Sequence, residues 1–301
     1  MTSTTLLDEF VRHLRVERGL SENTCLSYGY QLGTYVAFLR ARGMEPAMAT
    51  RDDVLAYLER RKGEGLKSAS LFIAAMAVKQ FHRHLAQIGR ASADPTAGMR
   101  LPRFKQRIPK PVDAEGMERL LRPPTGAKFS AMCDHAMLEL MYATGMRVSE
   151  LVGLRLGQVD LAAGLARVMG KGSKERIVPF GARAAAVLSS YLAARAARFS
   201  TASDIVFLNA RGRGLTRSGF GWRLAAAARR AGISGNLTPH QIRHTTATVM
   251  LEGGASLRVV QEMLGHASIT TTQIYTHVSV NLMRKVCEQT HPGFRSSPTQ
   301  E

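Results

Sequence analysis

The sequence predicts a mainly helical chain of two domains, the second of which contains a small antiparallel β-sheet. Three observations lead to this prediction. Apolar residues recur with the period of an α-helix through the N-terminal third, a basic segment rich in proline follows, and a two-residue period appears near positions 165–180. A chain of 301 residues is also longer than one typical domain.

Residues 1–92 are predicted to form a unit of four helices. The first helix runs from Leu6 to Val16, and Ser21 is a candidate N-cap for the second. Thr50, three residues before an aspartate, begins the third helix by a capping-box pattern. Single apolar faces support the second and fourth helices: Tyr28, Leu32, Tyr35, Val36 and Leu39 in one, Ala74, Val78, Phe81 and Leu85 in the other.

Residues 93–112 are predicted to form an extended, basic linker. Prolines interrupt helical continuity throughout this segment and favour an extended backbone. Basic residues alternate with them, so the segment is suited to lie along a phosphate backbone; a solvated hinge with incidental charge is the other interpretation. The residues concerned are Pro95, Pro102, Pro109 and Pro111, with Arg100, Arg103, Lys105, Arg107 and Lys110.

Residues 113–279 form the predicted second domain, and residues 280–301 a C-terminal helix and tail. Helical patterns cover 132–142 and 148–154 and are broken around Gly145. Alternation at Leu165, Arg167 and Met169, with a partner strand over 175–180, predicts a hairpin whose turn carries Lys171. The remaining predicted elements are a helix over 182–198, a short strand over 205–208 and helices that begin after Thr216, Thr238 and Ser256, the last ending at Gly265.

The charge of the chain favours a polyanionic partner. The formal net charge is +18 with a sequence pI of 10.6, and both predicted domains are basic. Nucleic acid is favoured over a membrane surface, because no apolar run approaches the ~20 residues of a spanning helix. We therefore expect a soluble, cytoplasmic protein. Three scattered cysteines without CxxC spacing predict neither disulfides nor a cysteine zinc site.

Two imidazoles, a guanidinium and a phenol lie close together in sequence, at His240, Arg243, His266 and Tyr275. A phenol oxygen can attack phosphorus, a guanidinium can grip two non-bridging phosphate oxygens, and imidazoles can move protons near neutral pH. The set is what cleavage of a phosphodiester without a metal ion requires. Each residue has an ordinary structural interpretation when taken alone, and only the combination favours catalysis.

No metal or nucleotide cofactor is predicted. His240 and His244 have the spacing of a metal-binding pair, but Gln241 occupies the place where a zinc hydrolase carries glutamate. The Gly-Lys171-Gly-Ser turn resembles a phosphate-binding loop only superficially, since a strand follows it instead of a helix.

Five motifs, in order, resemble the tyrosine recombinase (phage integrase) family and specifically its bacterial Xer members. They are Ala-Thr-Gly-Met-Arg147-Val-Ser-Glu-Leu, Gly-Lys171-Gly-Ser-Lys-Glu-Arg-Ile-Val-Pro, Thr-Pro-His240-Gln-Ile-Arg243-His-Thr-Thr-Ala-Thr, Leu-Gly-His266 and Thr-Thr-Thr-Gln-Ile-Tyr275-Thr-His-Val. The resemblance covers nearly the whole chain. It implies a helical core-binding domain followed by an α+β catalytic domain.

The resemblance also implies a role for each matched residue. Tyr275 is the nucleophile, Arg147 and Arg243 hold the scissile phosphate, Lys171 is the general acid, and His240 and His266 complete the pocket. We further expect DNA contacts from Arg103, Lys105, Arg107 and Lys110 of the linker and from Lys174 and Arg176 of the hairpin. The C-terminal helix is expected to dock on a neighbouring subunit, or alternatively to pack on its own domain.

The implied function is site-specific DNA recombination through a 3′-phosphotyrosyl intermediate and a Holliday junction, without metal or ATP. The expected partners are duplex DNA at an inverted-repeat core site, a tetramer of one or two related recombinases and a septal DNA translocase, with chromosome dimer resolution as the task. A mobile-element integrase or excisionase shares every catalytic residue. A type IB topoisomerase and a non-catalytic DNA-binding protein are the remaining alternatives.

Overall fold

The computed structural model describes residues 3–101, 110–124, 126, 128–170, 175–199, 203–265 and 277–294. The chain divides into two compact units, Met1–Ile108 and Pro109–Glu301. We call them the N-terminal unit and the C-terminal unit. Each has its own hydrophobic core.

The N-terminal unit contains the four predicted helices. They are α1 Ser3–Val16, α2 Glu22–Arg40, α3 Arg51–Gly63 and α4 Ser68–Gln87, with a 3₁₀ turn at Pro46–Met48 between α2 and α3. Ser21 caps α2 by accepting a hydrogen bond from the Thr24 N–H. Thr50 and Asp53 form a reciprocal capping box at the start of α3. Both predicted N-caps are therefore confirmed.

The predicted apolar faces of α2 and α4 are buried in one core. Leu32, Leu39, Val78 and Phe81 are fully buried there, and α1 adds Phe10. A polar contact crosses this core, because the Tyr35 hydroxyl lies 2.7 Å from His82 Nε2. The helical periodicity thus predicted both the elements and the faces that they bury.

The start of the predicted linker does not remain extended. Asp94 accepts hydrogen bonds from both the N–H and the hydroxyl of Thr96, which is fully buried. Met99 is also buried, and its carbonyl accepts a hydrogen bond from Lys79 Nζ. Residues 94–99 therefore turn back onto the N-terminal unit. Asp94 satisfies the Thr96 N–H, and burial of Met99 in the core stabilises the turn. Residues 102–109 lie outside the described ranges.

The C-terminal unit is built around α6, which is buried on nearly all sides. Its described helices are α5 Ala114–Leu120, α6 Phe129–Thr144, α7 Val148–Val152, α8 Ala182–Arg198, α9 Arg217–Arg230, α10 Pro239–Glu252, α11 Leu257–Leu264 and α12 His277–Thr290, with 3₁₀ turns at Leu156–Gln158 and Pro292–Phe294. Thr216, Thr238 and Ser256 cap α9, α10 and α11, as the sequence predicted.

A three-stranded antiparallel sheet completes the C-terminal unit. Its strands are β1 Val159–Asp160, β2 Leu165–Met169 and β3 Glu175–Pro179, in that spatial order. Met169 pairs with Glu175, so the segment that carries Lys171 connects β2 to β3 and the predicted hairpin is confirmed. Ala166, Val168 and Val178 point into the core.

The predicted strand at 205–208 is wrong. Ile205 and Leu208 form only isolated bridges, with Arg155 and Gly214. Val206 and Phe207 are nevertheless fully buried, and the Val206 N–H donates to the Leu154 carbonyl. A short apolar run is buried here with its backbone bonded to loops, which periodicity alone cannot distinguish from a strand.

Helix α12 packs on the core of the C-terminal unit. Val280, Met283 and Cys287 are buried, and the Cys287 thiol lies 3.7 Å from Met263 Sδ on α11. After the helix, Phe294 is also buried in this core. Of the two expectations for the C-terminal helix, packing on its own domain is the one seen in the single chain. None of the helices in the described ranges has the length and apolarity that a membrane crossing requires.

Candidate active site

The site forms where the ends of α6 and α11 meet the middle of α10. Helix α6 ends at Gly145 in the left-handed conformation, with φ +59°. A Cβ atom at this position would lie 2.6 Å from Leu264 Cδ2 and 3.2 Å from Thr246 Cγ2. Glycine is required here both by the backbone angle and by the close approach of α10 and α11.

Arg147 follows this turn and is held in place at the start of α7. Its backbone N–H donates to Glu150 Oε2 at 2.7 Å, and its Nη1 donates to Glu150 Oε1 at 3.0 Å. Its Nη2 donates to the carbonyl of Gly265 at 2.7 Å. The side chain is still 37% exposed, so part of the guanidinium faces outward. A phosphate can approach this open side.

Arg243 is the buried partner of Arg147. It lies on α10 and donates to the carbonyls of Gly145 and Leu264, at 2.7 and 2.6 Å. Burial, followed by the charges of Arg147 and Arg176, lowers the pKa of this guanidinium to about 10. It therefore stays protonated at neutral pH. Because Leu264 and Gly265 are adjacent, their carbonyls hold the two arginines beside each other.

Glu150 and Arg176 form a buried ion pair behind Arg147. Arg176 Nη1 and Nη2 donate to the two Glu150 carboxylate oxygens at 2.7 and 2.8 Å. Both side chains are nearly inaccessible, with 4% of Arg176 and 2% of Glu150 exposed. Burial opposes the ionisation of Glu150, but hydrogen bonds and charge from Arg176, with the bonds from Arg147, hold its pKa below the usual value.

The expectation that Arg176 contacts DNA does not fit this burial. Its guanidinium is used by Glu150 and, through Nε, by the carbonyl of Met263 at 3.1 Å. Arg176 shares the inward face of β3 with Val178, so strand alternation could have indicated its direction. Its charge alone suggested a surface position.

His240 lies three residues before Arg243 in the first turn of α10. Its side chain is exposed, whereas His244, one turn later, is partly buried. Pro239 occupies the first helical position and Thr238 exchanges hydrogen bonds with Gln241, which fixes where this turn begins. In the part of the chain that is described, no three His, Cys, Asp or Glu side chains are grouped as metal ligands.

The other predicted site residues lie outside the described ranges. These are Lys171, His266 and Tyr275 of the catalytic set, and Arg103, Lys105, Arg107 and Lys174 of the DNA-contact set. Lys110 is described and exposed. The structure therefore brings together Arg147 and Arg243, with His240 on the same helix as Arg243, and adds Glu150 and Arg176.

Comparison with known proteins assigns the family. Residues 111–281 match the phage integrase family, and residues 7–89 match its N-terminal SAM-like domain. The chain is 43% identical over 290 residues to the tyrosine recombinase XerD of Halalkalibacterium halodurans, covering 95% of this chain and 97% of that protein. The chain belongs to the phage integrase family. Within it, the chain is a Xer-like tyrosine recombinase.

A second relative and a solved structure agree with this assignment. The chain is 39% identical over 296 residues to the tyrosine recombinase XerC of Pelobacter propionicus, covering 97% of both chains. The crystal structure of a lambda integrase tetramer bound to a Holliday junction superposes with a TM-score of 0.66 at 19% identity. This match covers 92% of this chain and 80% of that chain. At this identity the likeness shows the fold, which is that of a phage integrase.

Sequence reasoning missed Glu150 as a site residue of this phage integrase. Glu150 belongs to the first of the five motifs and lies three positions after Arg147 on α7. An arginine followed at i+3 by glutamate at a helix start is a spacing that permits both side-chain pairing and capping. That spacing was the available signal.

Proposed function

We propose that this protein is a site-specific DNA recombinase that cuts and rejoins duplex DNA through a 3′-phosphotyrosyl intermediate and a Holliday junction. One observation carries the proposal: Arg147 and Arg243 are fixed beside each other by carbonyls at the ends of α6 and α11. In the described hydrogen bonds, the side chains of Arg147, Arg176 and Arg243 contact one carboxylate, Glu150, and otherwise backbone carbonyls. Three positive charges therefore stand against one negative charge. Such a pocket favours an anion.

The chemistry assigned to this pocket is a transesterification. The Tyr275 phenol passes its proton to an imidazole of the pocket as its oxygen attacks the scissile phosphorus, so that a bond from phosphorus to the phenol oxygen forms and the bond to the 5′-oxygen breaks. Arg147 and Arg243 stabilise the charge on the non-bridging oxygens, a role in which one preorganised donor typically contributes ~10²–10³ in rate. Lys171 gives a proton to the leaving 5′-oxygen, and His240 and His266 complete the pocket.

Rejoining reverses these steps with a different strand. A 5′-hydroxyl gives its proton to Lys171 and attacks the phosphotyrosyl phosphorus, and the departing Tyr275 oxygen takes back its proton from the imidazole. One phosphodiester is made for each one broken, so the exchange needs no ATP. Two such exchanges on paired strands pass through a Holliday junction.

The proposed assembly is a tetramer on two copies of an inverted-repeat core site. Similarity to relatives named XerD and XerC leaves both a homotetramer and a pair of related recombinases open. The proposed task is chromosome dimer resolution in the cytoplasm, with a septal DNA translocase as activator. Lys110 and the linker residues Arg103, Lys105 and Arg107, together with Lys174, are proposed as DNA contacts.

The first experiment is a covalent trap. The protein is incubated with nicked fragments of the host genome, and the protein–DNA adducts that resist SDS are recovered and sequenced. We expect adducts at one short inverted-repeat site. Tyr275→Phe should abolish them, whereas Tyr30→Phe, which removes a phenol that is 66% exposed on α2, should leave adduct formation in place.

The other outcomes identify the alternatives. Adducts at sites without a common sequence, with plasmid relaxation, indicate a topoisomerase. Adduct formation that persists in Tyr275→Phe contradicts the assigned nucleophile. A single chromosomal site supports dimer resolution, while sites at the ends of a mobile element support integration or excision.

A further inference from the structure

Arg176 links three parts of the predicted active site. It contacts α7 and the end of α11, and it lies on β3, the strand that follows the Lys171 segment. Its guanidinium holds Glu150, which in turn holds Arg147. Its Nε donates to Met263 near the end of α11, two residues before Gly265. Arg176 is also the second residue of β3, directly after the segment that contains Lys171.

The packing around the Arg176 guanidinium leaves little freedom. A Cβ atom added at Gly265 would lie 3.0 Å from Arg176 Nε and 3.1 Å from its Cδ. Gly265 adopts the left-handed conformation with φ +68°, and its carbonyl accepts the hydrogen bond from Arg147. The same backbone turn therefore touches Arg176 on one side and Arg147 on the other.

We infer that Arg176 is a positioning residue for strand cleavage: through Glu150 and the end of α11 it fixes the Arg147 guanidinium relative to β3. This inference rests on the proposed function. Arg176 itself does not touch the phosphate, because its side chain is only 4% exposed and its nitrogens face Glu150 and Met263. Its effect is transmitted through the geometry of Arg147.

Removal of Arg176 changes what Glu150 does to Arg147. The carboxylate is buried and then has Arg147 as its remaining cationic hydrogen-bond partner among the described residues. An ionised Glu150 draws the Arg147 guanidinium inward, away from the phosphate. A protonated Glu150 loses one of its acceptor positions for Arg147. Both outcomes misplace the group that must grip the phosphate.

The test uses single-turnover cleavage of a nicked suicide duplex that carries the site recovered by the covalent trap. Arg176→Met should slow adduct formation about 10- to 100-fold, the usual effect of removing a group that orients a catalytic side chain. Binding of the intact duplex should change less than threefold. Arg176→Lys, which keeps the charge but lacks the planar fork, should recover part of the rate.

A double-mutant cycle separates positioning from stability. If Arg176 acts through Glu150, then Arg176→Met should slow cleavage much less in a Glu150→Gln background than in the wild type. Additive effects of the two substitutions contradict the inference.

Arg183→Met is the matched control. Arg183 also pairs with a buried glutamate in this unit: from α8 it donates to Glu139 at 2.7 Å. Its removal should lower stability and the fraction of active protein but leave the rate constant of that fraction unchanged. Equal rate defects in both variants reduce Arg176 to a structural role. If the wild type forms no adduct at all, the proposed function fails, not the positioning role alone.

Discussion

Two histidines show that burial, and not residue type alone, decides the pKa of a side chain. His82 in the N-terminal unit and His291 in the C-terminal unit are both fully buried, and burial lowers the pKa of each to about 4. The His291 ring is tilted against the Tyr142 ring, with centroids 4.5 Å apart, and its Nδ1 accepts a hydrogen bond from the Gly293 N–H. With a pKa of about 4, neither ring carries a proton near neutral pH, so the number of histidines overstates the number available for proton transfer.

His291 should make the C-terminal unit less stable in acid. The unfolded chain takes up a proton near pH 6.5, whereas the folded site resists it until about pH 4. The stabilisation that comes from keeping His291 neutral is present above pH 6.5 and is lost as the pH falls from 6.5 to 4. Between pH 7 and pH 5 the free energy of unfolding should fall by about 2 kcal/mol. His291→Phe should remove that part of the slope, as measured by urea denaturation at both pH values. An unchanged slope in the variant contradicts this account.

At the scale of elements, α12 is part of the C-terminal core. It buries Val280, Met283 and Cys287 while Leu282 stays 59% exposed, so a single face of the helix is used. The apolar pattern predicted the helix but not its partner, since the same face suits either its own domain or a neighbour. Docking on a neighbouring subunit in the assembled complex stays a prediction.

Neighbouring residues of α12 provide a test of this packing. Met283→Ala should lower the free energy of unfolding by about 2–5 kcal/mol, because it leaves a cavity against the core. Leu282→Ala on the same helix should change it by less than about 0.5 kcal/mol. Urea denaturation of the free protein measures both. Equal effects show that the helix does not pack on its own unit in solution.

At the scale of the whole molecule, the net charge of +18, which the two units share, should dominate DNA affinity. With ~6–10 phosphate contacts per protomer, affinity should fall by ~10³–10⁵ between 50 and 200 mM salt. Fluorescence anisotropy with a duplex carrying the recovered site measures this dependence. An affinity that does not change with salt contradicts the proposed basic interface.

Lys110 tests the linker within that experiment. Lys110→Ala should reduce the slope of log affinity against log salt by about one, because one phosphate contact is lost. Lys62→Ala, at the exposed end of α3, is the comparison, since we assign no DNA contact to it. Equal slopes for Lys110→Ala and the wild type remove Lys110 from the interface.

The sequence by itself determined the helices, several of their caps and the hairpin, and it predicted the reacting groups. Apolar periodicity and capping residues such as Thr50 and Thr238 act over a few positions, so they can be recognised without knowing the fold. Five ordered motifs predicted the family that the comparisons then assigned. Local patterns failed at 205–208, where a buried apolar run pairs with Arg155 and Gly214 only through isolated bridges.

Only the tertiary structure decided which charges belong to the site and which to the surface. Arg176 and Lys110 are both basic residues near proposed DNA contacts, yet one is buried against Glu150 and the other is exposed. Arg147, Arg176 and Arg243 meet because Gly145 and Gly265 let α6 and α11 end close to α10. Such a meeting depends on contacts between segments about 100 residues apart, which no local spacing records.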